Sequence, residues 1–124
     1  MTASSRKFAF LLETSTEAIP QTVTSLEHAI NLADAGHNVK IFLDGAGTAW
    51  PKYLENNPDS PVFPAYEEAK RRGLIAGACG LCSVNFDTIE AVKEAGIDIY
   101  GDESTHGIDT PQLIADGFEL IFVS

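Results

Sequence analysis

The chain has 124 residues, 44% hydrophobic and 21% charged, with eighteen acidic against eight basic side chains and a net charge of −10. That length supports one domain, over residues 1–124, with a core that needs neither disulfide staples nor a structural metal. The charge repels phosphate backbones and anionic lipids, which sets aside nucleic acid and membrane surfaces as partners.

Taken in chain order, the Arg6-Lys7 pair precedes an apolar run, Phe8 to Leu12. The run is too short for a signal-peptide core, and no stretch approaches the roughly 20 apolar residues of a membrane span. The expected location is cytoplasmic, where thiols stay reduced. Between Thr16 and Ala35, the residues Ile19, Val23, Leu26, Ile30 and Ala33 recur at helical spacing, with Pro20 in the first turn and Gly36 as the stop. His28 falls off this stripe and reads as a surface residue.

A second apolar run, Val39 to Leu43, leads into Asp44-Gly45-Ala46-Gly47-Thr48. That turn resembles a phosphate cradle only loosely, because it lacks the P-loop lysine and the Rossmann spacing. Trp50, Tyr53 and Phe63 read as anchors of a subunit interface. A short helix starts at Pro51, residues 56–61 form a loop, and a further helix runs from Pro64 to Gly73. Lys70-Arg71-Arg72 at its end complements the helix dipole.

The third run, Leu74 to Ala78, feeds Cys79-Gly80-Leu81-Cys82-Ser83, which holds the only two cysteines. Asp87-Thr88-Ile89-Glu90 reads as a capping box for a helix ended by Gly96. The fourth run is Ile97 to Tyr100, followed by a polar loop carrying His106. Thr110 and Pro111 read as the N-cap and first residue of a last helix, closed by Gly117, and Phe118 to Val123 is the fifth run. Alternating buried strands and helices predict an α/β fold, a three-layer α/β/α sandwich around a parallel sheet.

In such sheets, sites form beyond the carboxyl ends of the strands. Glu13, Asp44, Cys79, Cys82 and His106 all fall there. Cys79 is a candidate nucleophile for a persulfide, which requires a partly exposed thiolate. The C-x-x-C spacing also allows a dithiol–disulfide cycle. Zinc is disfavoured, because the remaining ligands would be scattered histidines and His37 lies far off in sequence. His106 is the candidate acid–base partner. Asp44 and Glu13 can orient the site, but a carboxylate raises a neighbouring thiol's pKa. The capping box places the regular helix five residues beyond Cys82, away from Cys79, while a short turn through Ser83-Val84-Asn85 could still point N–H groups at the sulfur.

The order of these elements, with Arg72-Gly73-Leu74 entering the third strand and Ala78-Cys79-Gly80-Leu81-Cys82 leaving it, resembles the DsrE/DsrF/TusD-like family, specifically its paired-cysteine subgroup. The resemblance covers nearly the whole chain. It implies a five-stranded parallel sheet, assembly into a homo-oligomer (trimer or hexamer), and relay of sulfane sulfur between donor and acceptor proteins without a cofactor. By motif position Cys79 is the sulfur-carrying, sulfurtransferase-type cysteine, and Cys82 is a neighbour able to resolve a persulfide. Many family members carry a basic residue and a glycine shortly after the cysteine, whereas this chain has Ser83-Val84-Asn85-Phe86-Asp87. The alternatives are a binding or assembly module with inert cysteines and a thiol–disulfide switch.

Overall fold

The computed structural model describes residues 4–124; Met1, Thr2 and Ala3 of the N-terminal segment lie outside it. The chain runs β1 (Lys7–Leu12), α1 (Ile19–Asp34), β2 (Asn38–Leu43), a 3-10 turn (Gly45–Ala49), α2 (Trp50–Asn56), α3 (Phe63–Arg71) and β3 (Ile75–Cys79). It continues through α4 (Gly80–Asn85), α5 (Ile89–Glu94), β4 (Ile99–Asp102), β5 (Thr105–His106), α6 (Thr110–Ala115) and β6 (Phe118–Val123).

The α/β class expected from sequence is the one observed, but the sheet has six strands rather than five, in the order β5-β4-β3-β2-β1-β6. Pairing is parallel throughout except between β4 and β5, where Gly101 faces His106 and Asp102 faces Thr105 in an antiparallel hairpin. The segment read as a polar loop after the fourth run is therefore part of the sheet. Polar, exposed residues suit a short edge strand, which apolar patterning does not detect.

β1 lies at the centre of the hydrophobic packing, and its alternation separates two clusters. Phe8, Phe10 and Leu12 face the larger, with Leu26 and Ala29 of α1, Trp50 and Leu54 of α2, Tyr66 and Ala69 of α3 and Val92 of α5. Ala9 and Leu11 face a smaller one, to which α6 alone among the helices contributes, through Leu113. The two faces are thus unequally covered, by α1, α2, α3 and α5 on one and by α6 on the other.

Within α1 the buried line is Thr22, Leu26 and Ala29, with Ile19, Val23, Ile30 and Ala33 flanking it. A threonine sits on that line because its hydroxyl is satisfied, bonded at 2.7 Å to Ala18 O and 2.6 Å from Thr14 Oγ1. His28 is exposed, as expected. Arg71 and Arg72 both pair with Glu68, and Arg72 also with Asp34. The basic cluster thus ties α3 to the end of α1, and these hydrogen bonds hold the Glu68 carboxyl down to about 2.

Trp50 departs from expectation most. It is fully buried, its indole N–H donates to Thr14 O at 2.9 Å, and Tyr53 meets its ring edge-on at 5.5 Å. A side chain so enclosed cannot anchor a subunit interface. Tyr53 and Phe63 are only partly buried, yet both pack against the same cluster.

Candidate thiol site at the carboxyl edge of the sheet

Four segments bring the site together: the turn after β2, the end of β3, the first turn of α4, and β5. Asp44 follows β2 with extended backbone, and its Oδ1 accepts the Gly45 N–H at 3.1 Å, opening the 3-10 turn. Gly47 is obligatory in that turn, since a Cβ there would lie 1.9 Å from Leu12 O. Its N–H is already bonded to Asp44 O at 2.8 Å, and Thr48 donates to Gly45 O. The Gly45–Thr48 segment is therefore a packed connection to β1, with its polar groups turned inward, and not a phosphate cradle.

β3 passes into α4 without a loop. Cys79 is the N-cap residue, and its Sγ accepts the Cys82 N–H at 3.4 Å. The capping box predicts a regular helix from Asp87, with a short turn through Ser83-Val84-Asn85 as the other way to bring N–H groups to the sulfur; the chain in fact turns helical at Gly80. Gly80 permits this because it lies against the Gly101 backbone, where a Cβ would come 3.0 Å from Gly101 O. Ser83 reinforces the turn by donating to Cys79 O at 2.7 Å. The Asp87 capping box does not form. Asp87 has φ +53°, and α5 begins after Thr88, whose hydroxyl donates to Thr48 O at 3.0 Å instead of capping its own helix. At α6 the cap is Asp109, accepting the Gln112 N–H at 3.1 Å, one residue before the expected Thr110.

The β4–β5 hairpin lays His106 over the cysteines. His106 Nδ1 is 3.4 Å from Cys79 Sγ and 3.7 Å from Cys82 Sγ, and the Cys82 thiol donates to Asp44 Oδ1 at 3.6 Å. One ligand-type atom from each of Asp44, Cys79, Cys82 and His106 lies within 4.8 Å of all the others. Sequence reasoning named all four; the fold joins them. Glu13 is not part of this group, and His37 is far from it, accepting the Arg6 N–H at 3.0 Å beside Phe8.

Cys79 is completely buried, although the imidazole covering it is exposed. The expected partly exposed thiol is thus not found: Cys79 sits at the junction of β3 and α4 with His106 of β5 against it. Burial pushes the Cys82 thiol up to about 12, helped by its hydrogen bond with Cys79 and by the neighbouring Asp44 charge.

Asp102 shapes the turn that carries His106. Its Oδ1 accepts from the Thr105 hydroxyl at 2.6 Å, and from the Ser104 hydroxyl at 2.8 Å and amide at 2.9 Å. These bonds, Thr105's first, hold its carboxyl at about 2, below the ordinary 3.8. With the folded value depressed, the contribution is full above 3.8 and is lost as pH falls from there toward about 2. Amide-exchange protection of the hairpin is expected to fall across that window, and Asp102→Asn to remove that pH dependence. Protection that is flat from neutral pH down to 2 would refute the anchoring role.

No family model, curated protein or solved structure matches this chain. Among the described residues, no helix is long and apolar enough to cross a membrane.

Proposed function

We propose that this chain is a DsrE-like sulfur carrier that holds sulfane sulfur as a persulfide on Cys79. The observation that carries the reading is the 3.4 Å contact between Cys79 Sγ and His106 Nδ1, with the Cys82 thiol beside both. A thiol facing an imidazole can lose its proton to that nitrogen and become the nucleophile. The Cys79 thiolate attacks the outer sulfur of a donor persulfide, and the donor leaves as a thiolate that takes the proton back from His106. One sulfur–sulfur bond forms as one breaks, so no external oxidant is needed. Discharge reverses this with an acceptor thiolate.

Because Cys79 is covered, loading requires His106 to swing aside. The hairpin suits that task, being exposed and joined to itself by only two paired positions. Val84 and Phe86, at and just after the end of α4, are 42% and 50% exposed next to the thiol pair. They are the apolar contacts available to a donor or acceptor protein. Assembly into a homo-oligomer belongs to the same proposal.

The test is intact mass after polysulfide treatment of the reduced chain, with a metal chelator present. A species one sulfur atom heavier is expected, lost in Cys79→Ala and kept in Cys82→Ala. No mass gain, or sulfur that depends on Cys82 alone, sinks the reading.

A further inference from the structure

We propose that Asp44, Cys79, Cys82 and His106 form a closed binding site for one zinc ion. The inference rests on the separations among the four side chains and does not depend on the sulfur-carrier reading.

Zinc holds tetrahedral ligands at about 2.3 Å for sulfur and about 2.0–2.1 Å for nitrogen or oxygen, so the ligand atoms themselves stand roughly 3.3–3.8 Å apart. The distances here are 3.4 Å from Cys79 Sγ to His106 Nδ1, 3.7 Å from Cys82 Sγ to the same nitrogen, and 3.6 Å from Cys82 Sγ to Asp44 Oδ1. These three separations match edges of a zinc tetrahedron, and all four ligand atoms lie within 4.8 Å of one another. Two sulfurs, one imidazole and one carboxylate form a donor set that favours zinc over magnesium or calcium, which take oxygen ligands. Two cysteines separated by two residues are a common half-site, and the other half comes from the ends of β2 and β5.

Outer contacts hold the ligands in place. The Cys82 amide points at Cys79 Sγ, where it stabilises a thiolate, and the Gly45 amide fixes Asp44 Oδ1. Among the ion pairs of the described residues none involves Asp44, so its charge is not already committed to a cation side chain. On binding, both thiols release their protons to solvent as the two sulfur–zinc bonds form, with no change of oxidation state. The ion would join three segments otherwise linked around the thiols by contacts of 3.4–3.7 Å.

The full chain, reduced and stripped of metal, is titrated with zinc alone and separately with cobalt(II) as a spectroscopic stand-in. Native mass spectrometry is expected to find one zinc per chain. Cobalt is expected to give the intense visible bands of a tetrahedral site with thiolate charge transfer in the ultraviolet. His106→Gln and Asp44→Asn, both at positions outside the buried core, should each weaken zinc by more than about tenfold. Should Cys79→Ser or Cys82→Ser fail to fold, those two variants still decide. Failure to bind one equivalent, an octahedral cobalt spectrum, or unchanged affinity in both His106→Gln and Asp44→Asn would overturn the proposal. Metal is read by non-covalent mass and sulfur loading by covalent mass under chelator, so either idea can fail alone.

Discussion

Trp50→Ala is expected to destabilise the protein by about 3–5 kcal/mol, the range for removing a large aromatic side chain from a close-packed core. The indole is fully enclosed, and its loss leaves a void beside Leu54 and Tyr53 while orphaning the Thr14 carbonyl it now satisfies. For a domain of this size the melting temperature should fall by roughly 10–20 °C. Trp50→Phe should cost less, because it keeps most of the volume and loses only the N–H. Urea unfolding at several protein concentrations checks the result. An interface tryptophan would produce a concentration-dependent loss instead, with little change at high concentration. A cost below about 1 kcal/mol would place the side chain outside the core.

Gly107→Ala is expected to open the lid over Cys79. A Cβ at this position would lie 1.8 Å from both Tyr100 C and Tyr100 O, and 2.2 Å from Gly101 N. All three are backbone atoms, so no side chain can move to relieve the clash. The preceding strand is tightly fitted as well: Gly101 has φ +78°, and a Cβ there would lie 2.5 Å from Thr105 O and 2.8 Å from Gly107 N. The hairpin has to part from β4, taking His106 with it. Global stability should fall by only about 1–3 kcal/mol, since the hairpin is at the sheet edge. Alkylation of Cys79 under native conditions should accelerate by an order of magnitude or more, because a completely buried sulfur becomes reachable. Site-resolved mass spectrometry of the alkylated chain measures this. An unchanged rate would mean that the hairpin is not what covers the thiol.

Together the two substitutions separate the scaffold from its cover. Trp50 follows directly on the turn that Asp44 opens, so its packing fixes one side of the thiol pair. Gly107 follows directly on His106, whose imidazole contacts both thiols on the other side. A difference between global unfolding and local thiol access is what a carrier with a closed resting state requires.

Several features were readable from residue order. Five short apolar runs alternating with helical stripes correspond to β1, β2, β3, β4 and β6, with β4 displaced by two residues, because burial on both faces favours continuous hydrophobicity. Gly36, Gly73, Gly96 and Gly117 end their helices as expected, each with positive φ. Errors arose where a polar side chain bonds across the fold and not within its own segment. Thr88 looks like part of a capping box, but its hydroxyl is drawn to Thr48, 40 residues away in sequence. Trp50 beside Tyr53 looks like a surface anchor until the Thr14 carbonyl is brought to its N–H. The β5 strand is two polar residues long, below what any periodicity can register.

The amino-acid sequence by itself determined the α/β alternation, the strand ends on which chemistry would gather, and the presence there of two cysteines, an aspartate and a histidine. Those follow from hydrophobic period and local turn chemistry, which act over a few residues. Only the tertiary structure decided that Asp44, Cys79, Cys82 and His106 converge within 4.8 Å, and that the Cys79 sulfur is buried beside the imidazole. Such convergence depends on strand order, which sets the ends of β2 and β3 side by side, and on the antiparallel return of β5, whose two polar residues carry no hydrophobic period.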